Sequence, residues 1–502
     1  MYKEKIELIK PIEFKEDDKE FSFGRDNILY RSLIRLFEQF WVYEKKELYL
    51  VGGCVRDLLL GKTPKDYDLC TNATPDDVKN ICQKLNLKTF DSGVKHGTIT
   101  ILDNFYHQQY EITTYRVDGK YSDNRHPDKV EFVSNLEEDL KRRDFTINSF
   151  AYNLLDKELI MLNSYYKTDL ELGIIRTVGD PRDRFEEDAL RMLRAIRFAA
   201  QLNFSISKNV YGELCYCNHL ISNISKERIR DELTKVLLSD NPQMLEFICI
   251  TGIEQYLFDG TTPITDMLNC YHQNPYHYTD VFHHTIDVVK RVPKTFELRW
   301  AALLHDIGKP VVKQLKPGTT DHYRYIGHPE ASVKIADKLM EILKFSNDQK
   351  EIIHNYVLYH DYPFASCSLK KFKQKLAEIG EDNFKQFIKL IEADGLAHKL
   401  NMSIKFAVED LSEIKYRFNE VISNKSPIRI KDLAINGDDL KELGLTGKEI
   451  GDNLNYLLDK VLEDPNLNSK EYLLSLIKIK DIKRRFDKEW KKLNLQEVKE
   501  KN

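Results

Sequence analysis

The chain has 502 residues, of which 42% are hydrophobic and 31% charged, with a formal net charge of −4. That is longer than one ordinary domain of about 100–200 residues, and the composition is globular rather than fibrous or disordered. No apolar run reaches the ~18 residues of a membrane-spanning helix, and the near-neutral balance means that any nucleic-acid surface must come from segregated basic residues.

Residues 1–27 are polar and mixed in charge and read as an extension; MYKEKIELIKPIEF has no apolar signal core, so a cytoplasmic protein is expected. Tyr30–Tyr43 places apolar residues at helical spacing and reads as a helix. Leu48–Asp68, LYLVGGCVRDLLLGKTPKDYD, reads as strand, glycine turn, short helix and strand. Gly52 and Gly53 let backbone N–H groups approach a phosphate with no Cβ in the way. Arg56 offers the same phosphate a cationic fork. Asp66 and Asp68, two apart, fall on one face of a strand, where paired carboxylates can hold Mg²⁺. A lone Gly-Gly is usually a turn and a lone Asp-x-Asp a solvated strand end. In this order and spacing they point to phosphoryl transfer.

The stretch resembles the head-domain signature of the nucleotidyltransferase superfamily, in the branch that holds bacterial CCA-adding enzymes and poly(A) polymerases. Downstream, Thr74 and Pro75 start a helix through Val78–Leu85, and residues 97–102 and 110–116 read as strands. Glu111 is either a solvated strand glutamate or a third metal carboxylate; the resemblance favours the second. Val117–Val130 is a polar, turn-rich loop. In CCA-adding enzymes a flexible loop here takes part in the switch from adding C to adding A. This chain has Asn124 where the family more often has glycine, and the full-length loop argues against an enzyme that adds only the two Cs.

Arg142-Arg143-Asp144 ends a charged helical stretch. Such clusters are commonly salt-bridged helix faces. Here RRDFTINS lies where the family places RRDFTxNA, with Ser149 for the commoner alanine. The resemblance implies that Arg143 binds triphosphate and that Asp144 and Asn148 fix the ribose hydroxyls.

After a turn at Gly179-Asp180-Pro181, Phe185–Leu202 reads as one helix, with Asp188, Arg191, Arg194 and Arg197 on a single polar ridge. One reading is a surface ion pair of small worth. The sharper one is base selection: a carboxylate accepts from the exocyclic amine of C or A while a guanidinium donates to the adjacent ring nitrogen, and U and G are rejected. Glu187-Asp188-Ala189-Leu190-Arg191 matches the EDxxR motif of class II CCA-adding enzymes, which serves as their protein template; poly(A) polymerases look similar here. Cys215-Tyr216-Cys217 has no second pair at zinc spacing, so free thiols are expected among the eight cysteines. Ser225 caps a plausible neck helix over Lys226–Leu233.

From His283 the texture changes. His284, the pair His305-Asp306, His328 and Asp394 resemble the HD superfamily of metal phosphohydrolases, with His354 and His360 as further candidate ligands. Imidazoles and carboxylates from separate helices make an ordinary divalent-metal site. Residues 405–502 are mostly charged helices. Gly447-Lys448 opens a helix that either is simply capped or holds an RNA phosphate, and Lys478–Lys492 is basic.

The expected architecture is α+β: extension 1–27, a nucleotidyltransferase head with a small mixed sheet over 28–160, an all-α neck 161–265, an HD body 266–400 and a helical tail 401–502 that grips the tRNA elbow. The expected reaction is template-independent addition of CCA to tRNA 3′ ends from CTP and ATP, with Mg²⁺ on Asp66, Asp68 and Glu111, and the triphosphate on Gly53, Arg56 and Arg143. Asp188 and Arg191 would read the base, with Arg194 and Arg197 beside them. The rivals are poly(A) polymerase, an A-adding enzyme, or added HD phosphodiesterase activity with a second divalent metal.

Overall fold

The computed structural model describes residues 28–94, 97–118, 130–272, 279–320, 322–398, 403–480 and 482. The N-terminal extension, the loop segment with Asn124 and most of the basic stretch beyond Lys480 lie outside these residues. The chain divides into two compact units, residues 1–268 with 338–344, and residues 269–337 with 345–502.

The first unit opens with α1 (Ile28–Glu38), which widens into a π-turn at Gln39–Tyr43. Then come β1 (Leu48–Val51), α2 (Gly53–Leu59) and β2 (Asp68–Thr71), the expected strand, turn, helix and strand. Asp66 lies in a bend before β2, so it does not share a strand with Asp68 as expected. The chain reaches strand geometry two residues late, after the bend at Lys65 and Asp66. α3 (Pro75–Lys84) begins with a reciprocal Thr74–Asp77 capping box and Pro75 in its first turn.

β3 (Lys88–Gly93), β4 (Thr98–Asp103) and β5 (Gln108–Thr114) follow. A separate antiparallel pair, β6 (Arg116–Asp118) with β7 (Val130–Phe132), turns both ends of the expected loop into strand. α4 (Leu136–Lys141), β8 (Phe150–Asn153) and β9 (Glu158–Met161) complete the head.

Among the described residues, seven strands form one sheet in the order β3-β4-β5-β2-β1-β8-β9. All its pairings are antiparallel except β2 with β5, so the sheet is mixed as expected, though larger, because hairpins extend both edges. β1 is central and all four of its residues are buried. β5 alternates, with Tyr110, Ile112 and Thr114 inward and Gln109 and Glu111 outward.

Next come α5 (Tyr165–Glu171), β10 (Ile174–Ile175), α6 (Pro181–Glu187), α7 (Leu190–Leu202), β11 (Ser205–Ile206), α8 (Lys208–Tyr216) and α9 (Lys226–Leu237). α10 (Glu246–Ile250), α11 (Glu254–Leu257) and α12 (Pro263–Leu268) close the run. The parallel β10–β11 pair is a small departure from an all-α neck. The single helix expected over Phe185–Leu202 is two. Asp188 leaves helical geometry at φ −138°, ψ 101°, and its carboxylate accepts the Leu190 N–H at 3.1 Å. Aspartate's preference for capping a helix outweighs continuation through it.

In the second unit the elements are α13 (Val281–Arg291), α14 (Phe296–Leu304), α15 (Lys309–Val312), the hairpin β12 (Gln314–Leu315) and β13 (Tyr323–Arg324), α16 (His328–Ile342, whose residues from 338 on are counted with the first unit) and α17 (Asn347–Tyr359). α18 (Leu369–Ile379), α19 (Glu381–Ala397), α20 (Ser403–Ser423), α21 (Gly437–Glu442) and α22 (Lys448–Glu463) follow. Leu440, Leu457, Val461 and Leu473 form a separate buried cluster near the end of the chain. Gly447 precedes α22 at φ +52°, a conformation that favours glycine and accounts for it by capping. All eight cysteines lie among the described residues and are free, with Cys215 exposed.

Candidate active site and a histidine-rich metal centre

β1 delivers the chain to Gly52, whose φ of +74° and ψ of −134° suit glycine. Its N–H donates to the Phe150 carbonyl at 3.2 Å, and a Cβ there would stand 3.0 Å from Arg143 Nη1. At Gly53 a Cβ would meet nothing nearer than 3.6 Å, so the demand for glycine falls on Gly52 rather than on the expected Gly53. Arg56, in α2, is buried. Its Nε and Nη2 donate to Asp57 at 2.9 and 2.7 Å, and Nη1 donates to Asn148 Oδ1 at 2.7 Å. The fork expected for phosphate is thus engaged within the protein.

The parallel register sets Asp68 on β2 directly beside Glu111 on β5. Asp66, Asp68 and Glu111 are all exposed. Partial loss of solvent against the head pushes the Asp68 carboxyl up, Glu111 and Asp66 reinforce the rise, and Arg143 opposes it. Uncompensated acids of this kind are hard oxygen donors suited to Mg²⁺.

Arg143 is held by Asp139, a fully buried carboxylate one turn back that accepts from Arg142 Nε and Arg143 Nη2, each at 3.0 Å. Burial raises the Asp139 pKa, but the two guanidiniums outweigh it and hold the carboxyl low. Asp139 is a residue that the sequence reading missed. Its spacing of three and four from the two arginines was the available signal.

Asp144 and Asn148 are turned into one buried relay. Asp144 Oδ1 accepts from Asn148 Nδ2 at 3.0 Å and Oδ2 from Arg194 Nε at 2.8 Å, while Asn148 accepts from Arg56. Burial works against the Asp144 charge, yet Arg194 and Asn148 hold its carboxyl well below the usual range. The chain Asp57–Arg56–Asn148–Asp144–Arg194 therefore runs from α2 to α7.

The four members of the expected ridge go to four different partners, and Asp188 lies at the break before the helix that carries the three arginines. Asp188 Oδ2 accepts from Arg228 Nη2 at 3.2 Å. Arg191 is buried, donating to Glu187 at 2.5 Å and to the Arg142 carbonyl at 3.0 Å. Arg194 meets Asp144, and Arg197 meets Glu232 at 3.1 Å. The ring of Phe198 lies under Arg56, Arg194 and Arg197, with 4.2 Å to the nearest guanidinium carbon.

The second unit gathers His284, His305, Asp306, His328 and Asp394, the five residues singled out from the sequence. His284 Nε2 lies 3.0 Å from Asp394 Oδ1 and 3.6 Å from Asp306 Oδ2. His305 Nε2 lies 3.2 Å from Asp306 Oδ2. On the other side of the same carboxylate, Oδ1 is 3.4 Å from His328 Nε2 and 3.6 Å from His360 Nε2. His360 belongs to the centre; His354 instead pairs with Asp337 at 3.0 Å. The sequence reading missed His398, which stacks on His284 with ring centroids 5.4 Å apart, and Lys309, 2.6 Å from Asp306. Among the described residues, the groups of three whose candidate ligand atoms all lie within 4.8 Å of one another are all in this unit; the head acids are spread more openly.

The donors at this centre could hold a metal ion. The Nδ1 atoms of His305, His328 and His360 face backbone carbonyls at 2.8, 2.9 and 2.7 Å, which turns each Nε2 inward. Both Asp306 oxygens are buried and, beside Lys309, face imidazole nitrogens at 3.2–3.6 Å. The imidazole of His305 is pushed up to about 10: burial works against the charge, and Asp306 and Asp394 outweigh it.

Residues 48–176 match the family model described as Poly A polymerase head domain, residues 203–265 the one described as Probable RNA and SrmB-binding site of polymerase A, and residues 281–434 the HD domain. The CCA-adding enzyme of Ligilactobacillus salivarius is 35% identical over 433 residues, 85% of this chain and 91% of that protein. The CCA-adding enzyme of Lactobacillus delbrueckii subsp. bulgaricus is 45% identical over 210 residues, 42% of this chain and 51% of that protein. In fold, the chain is similar to the Bacillus stearothermophilus CCA-adding enzyme solved with CTP, at TM-score 0.67 and 24% identity over 91% of this chain and 99% of that one. It is also similar to the Thermotoga maritima enzyme complexed with tRNA, at TM-score 0.50 and 19% identity over 89% and 94%. By its extended likeness to the Ligilactobacillus protein, this chain belongs to the family of CCA-adding enzymes, which are tRNA nucleotidyltransferases.

Proposed function

We propose that the protein completes tRNA 3′ ends, adding C, C and A from CTP and ATP without a nucleic-acid template. The observation that carries this reading is the adjacency of Asp68 and Glu111 across one strand pair, with Arg143 close enough to act on the Asp68 charge. Asp66, Asp68 and Glu111 would hold Mg²⁺. When bound there, Mg²⁺ supplies activation of the RNA 3′-hydroxyl and stabilisation of the departing pyrophosphate.

The chain's own residues do the rest. Arg143, braced by Asp139, meets the triphosphate. The Gly53 N–H and Arg56 lie along the same turn, and Arg56 would exchange its bond to Asp57 for one to phosphate. Asp144 and Asn148 line the sugar side and tie it to Arg194. Asp188 accepts the exocyclic amine of C or A and Arg191 donates to the ring nitrogen, so U and G present the wrong edge. Arg197 stands on the next turn of α7, paired with Glu232. The 3′-oxygen bonds to the α-phosphorus as the bond to pyrophosphate breaks, and no covalent enzyme intermediate is required. Residues 401–502 would hold the tRNA elbow, and a cytoplasmic location fits these substrates.

Asp66→Ala and Asp68→Ala test the reading. Each should abolish CTP incorporation into tRNA lacking its 3′ end while leaving the thermal unfolding midpoint within a few degrees of wild type. Near-normal turnover by either variant would remove the metal assignment.

The histidine centre carries a second reading. Asp306, with His284, His305 and Asp394 on one side and His328 and His360 on the other, would hold divalent metal. When bound, such cations supply an activated water for phosphoester hydrolysis. His305→Ala should end that hydrolysis and spare nucleotide addition; loss of both would make the module structural.

A further inference from the structure

We propose that His398 is a further metal ligand of the histidine centre, joining His284 and Asp394 on the same cation. The inference rests on the metal-binding role proposed above for that centre, and it adds an imidazole to the residues singled out from the sequence.

His398 stands four residues after Asp394, just past the end of α19, so the helix sends both side chains to one side. Two donors at this spacing on one helix are a common way to hold a divalent metal. Asp394 Oδ1 meets three imidazole nitrogens: His284 Nε2 at 3.0 Å, His305 Nε2 at 3.7 Å and His398 Nε2 at 3.9 Å. His398 therefore lies about as close to this oxygen as His305 does. At 3.9 Å the His398 contact is too long for a hydrogen bond, whose N···O distance is about 2.7–3.2 Å. It suits two ligands of one cation: with metal–ligand bonds of about 2.1 Å, donors in one shell stand roughly 3.0–4.2 Å apart. The candidate ligand atoms of His284, Asp394 and His398 all lie within 4.8 Å of one another. The His398 ring also stacks on His284, with planes 7° apart. Stacking alone places no demand on where the ring nitrogens stand, whereas coordination requires Nε2 near the Asp394 oxygen. The His398 side chain is 25% exposed, so the ring is mostly withdrawn from water. Three imidazoles, from His284, His305 and His398, favour a transition metal such as Zn²⁺ over Mg²⁺, which prefers oxygen donors. The added ligand also fills a coordination position otherwise open to water or substrate.

The probe is Zn²⁺. The full chain, stripped of metal, is loaded with one equivalent; affinity is read by competition with a chromophoric chelator, and coordinated imidazoles are counted by X-ray absorption spectroscopy. His398→Ala should bind Zn²⁺ about 100-fold more weakly and lose about one imidazole from the count. His398→Asp, which restores a donor of another type, should recover much of the affinity but not the imidazole. His354→Ala, outside the centre, should match wild type in both. Wild-type affinity and count in His398→Ala, with binding lost in His305→Ala, would overturn the inference and leave the metal reading standing. Weaker binding with an unchanged count would make His398 a positioning residue and overturn the inference as well. If His305→Ala binds as wild type does, the metal reading fails and the inference with it. Should His398→Ala not fold, His398→Gln, of similar bulk, carries the same test.

Discussion

Alanine at Gly52 and alanine at Gly53 separate a backbone demand from a mere motif match. At Gly52 the φ of +74° with ψ −134° is a conformation that an L-residue adopts at a cost of about 1–3 kcal/mol. The new Cβ would also stand 3.0 Å from Arg143 Nη1, tighter than ordinary contact, so the guanidinium must give by a few tenths of an ångström. For a unit of this size, each kcal/mol corresponds to about 2–4 °C in Tm, so Gly52→Ala should unfold roughly 3–10 °C lower. Its activity should fall further than its stability, because Arg143 is both the displaced group and the proposed triphosphate ligand; about 10–100-fold in kcat/KM for CTP is the expected range. Gly53→Ala keeps its N–H, meets nothing within 3.6 Å and should stay within about 1 kcal/mol of wild type. Thermal unfolding and CTP incorporation on the two variants decide the matter. Wild-type behaviour of Gly52→Ala, or a worse defect at Gly53, would refute the reasoning.

Arg191→Ala should weaken rejection of UTP by about 1–3 kcal/mol, roughly 5- to 150-fold in the CTP/UTP ratio; an unchanged ratio in competitive incorporation would remove its role. The folded pKa of Asp144 is depressed, so its stabilisation is present above the unfolded value of about 3.9 and is lost as pH falls through the folded value. Asp144→Asn should therefore cost about 3 kcal/mol at pH 7 and progressively less below about pH 4, measured by denaturant unfolding at several pH values; a cost independent of pH would contradict it. His360→Ala should lower the divalent metal retained per chain, read by elemental analysis after dialysis, with nucleotide addition unchanged.

Local pattern made the head legible. The run from Leu48 to Thr71 carries its strand, turn and helix in apolar spacing and in two glycines, and Thr74-Pro75 announces its helix by capping chemistry. The features that escaped the sequence depend on distant partners. Nothing near Arg228 states that it meets Asp188, and nothing near Asp139 states that it is buried under two arginines. The helical period through Phe185–Leu202 was real, but it could not register that Asp188 would leave the helix to cap α7. Likewise His354 and His360 look alike in sequence; which of them reaches Asp306 is set by how α17 is rotated.

The most direct test is the product made from purified protein, Mg²⁺, CTP, ATP and tRNA lacking its three terminal nucleotides. The expected product gains C, C and A in that order and then stops, with the first two additions dependent on CTP. Growth of a long A tract from ATP alone, or no incorporation at all, would contradict the assignment.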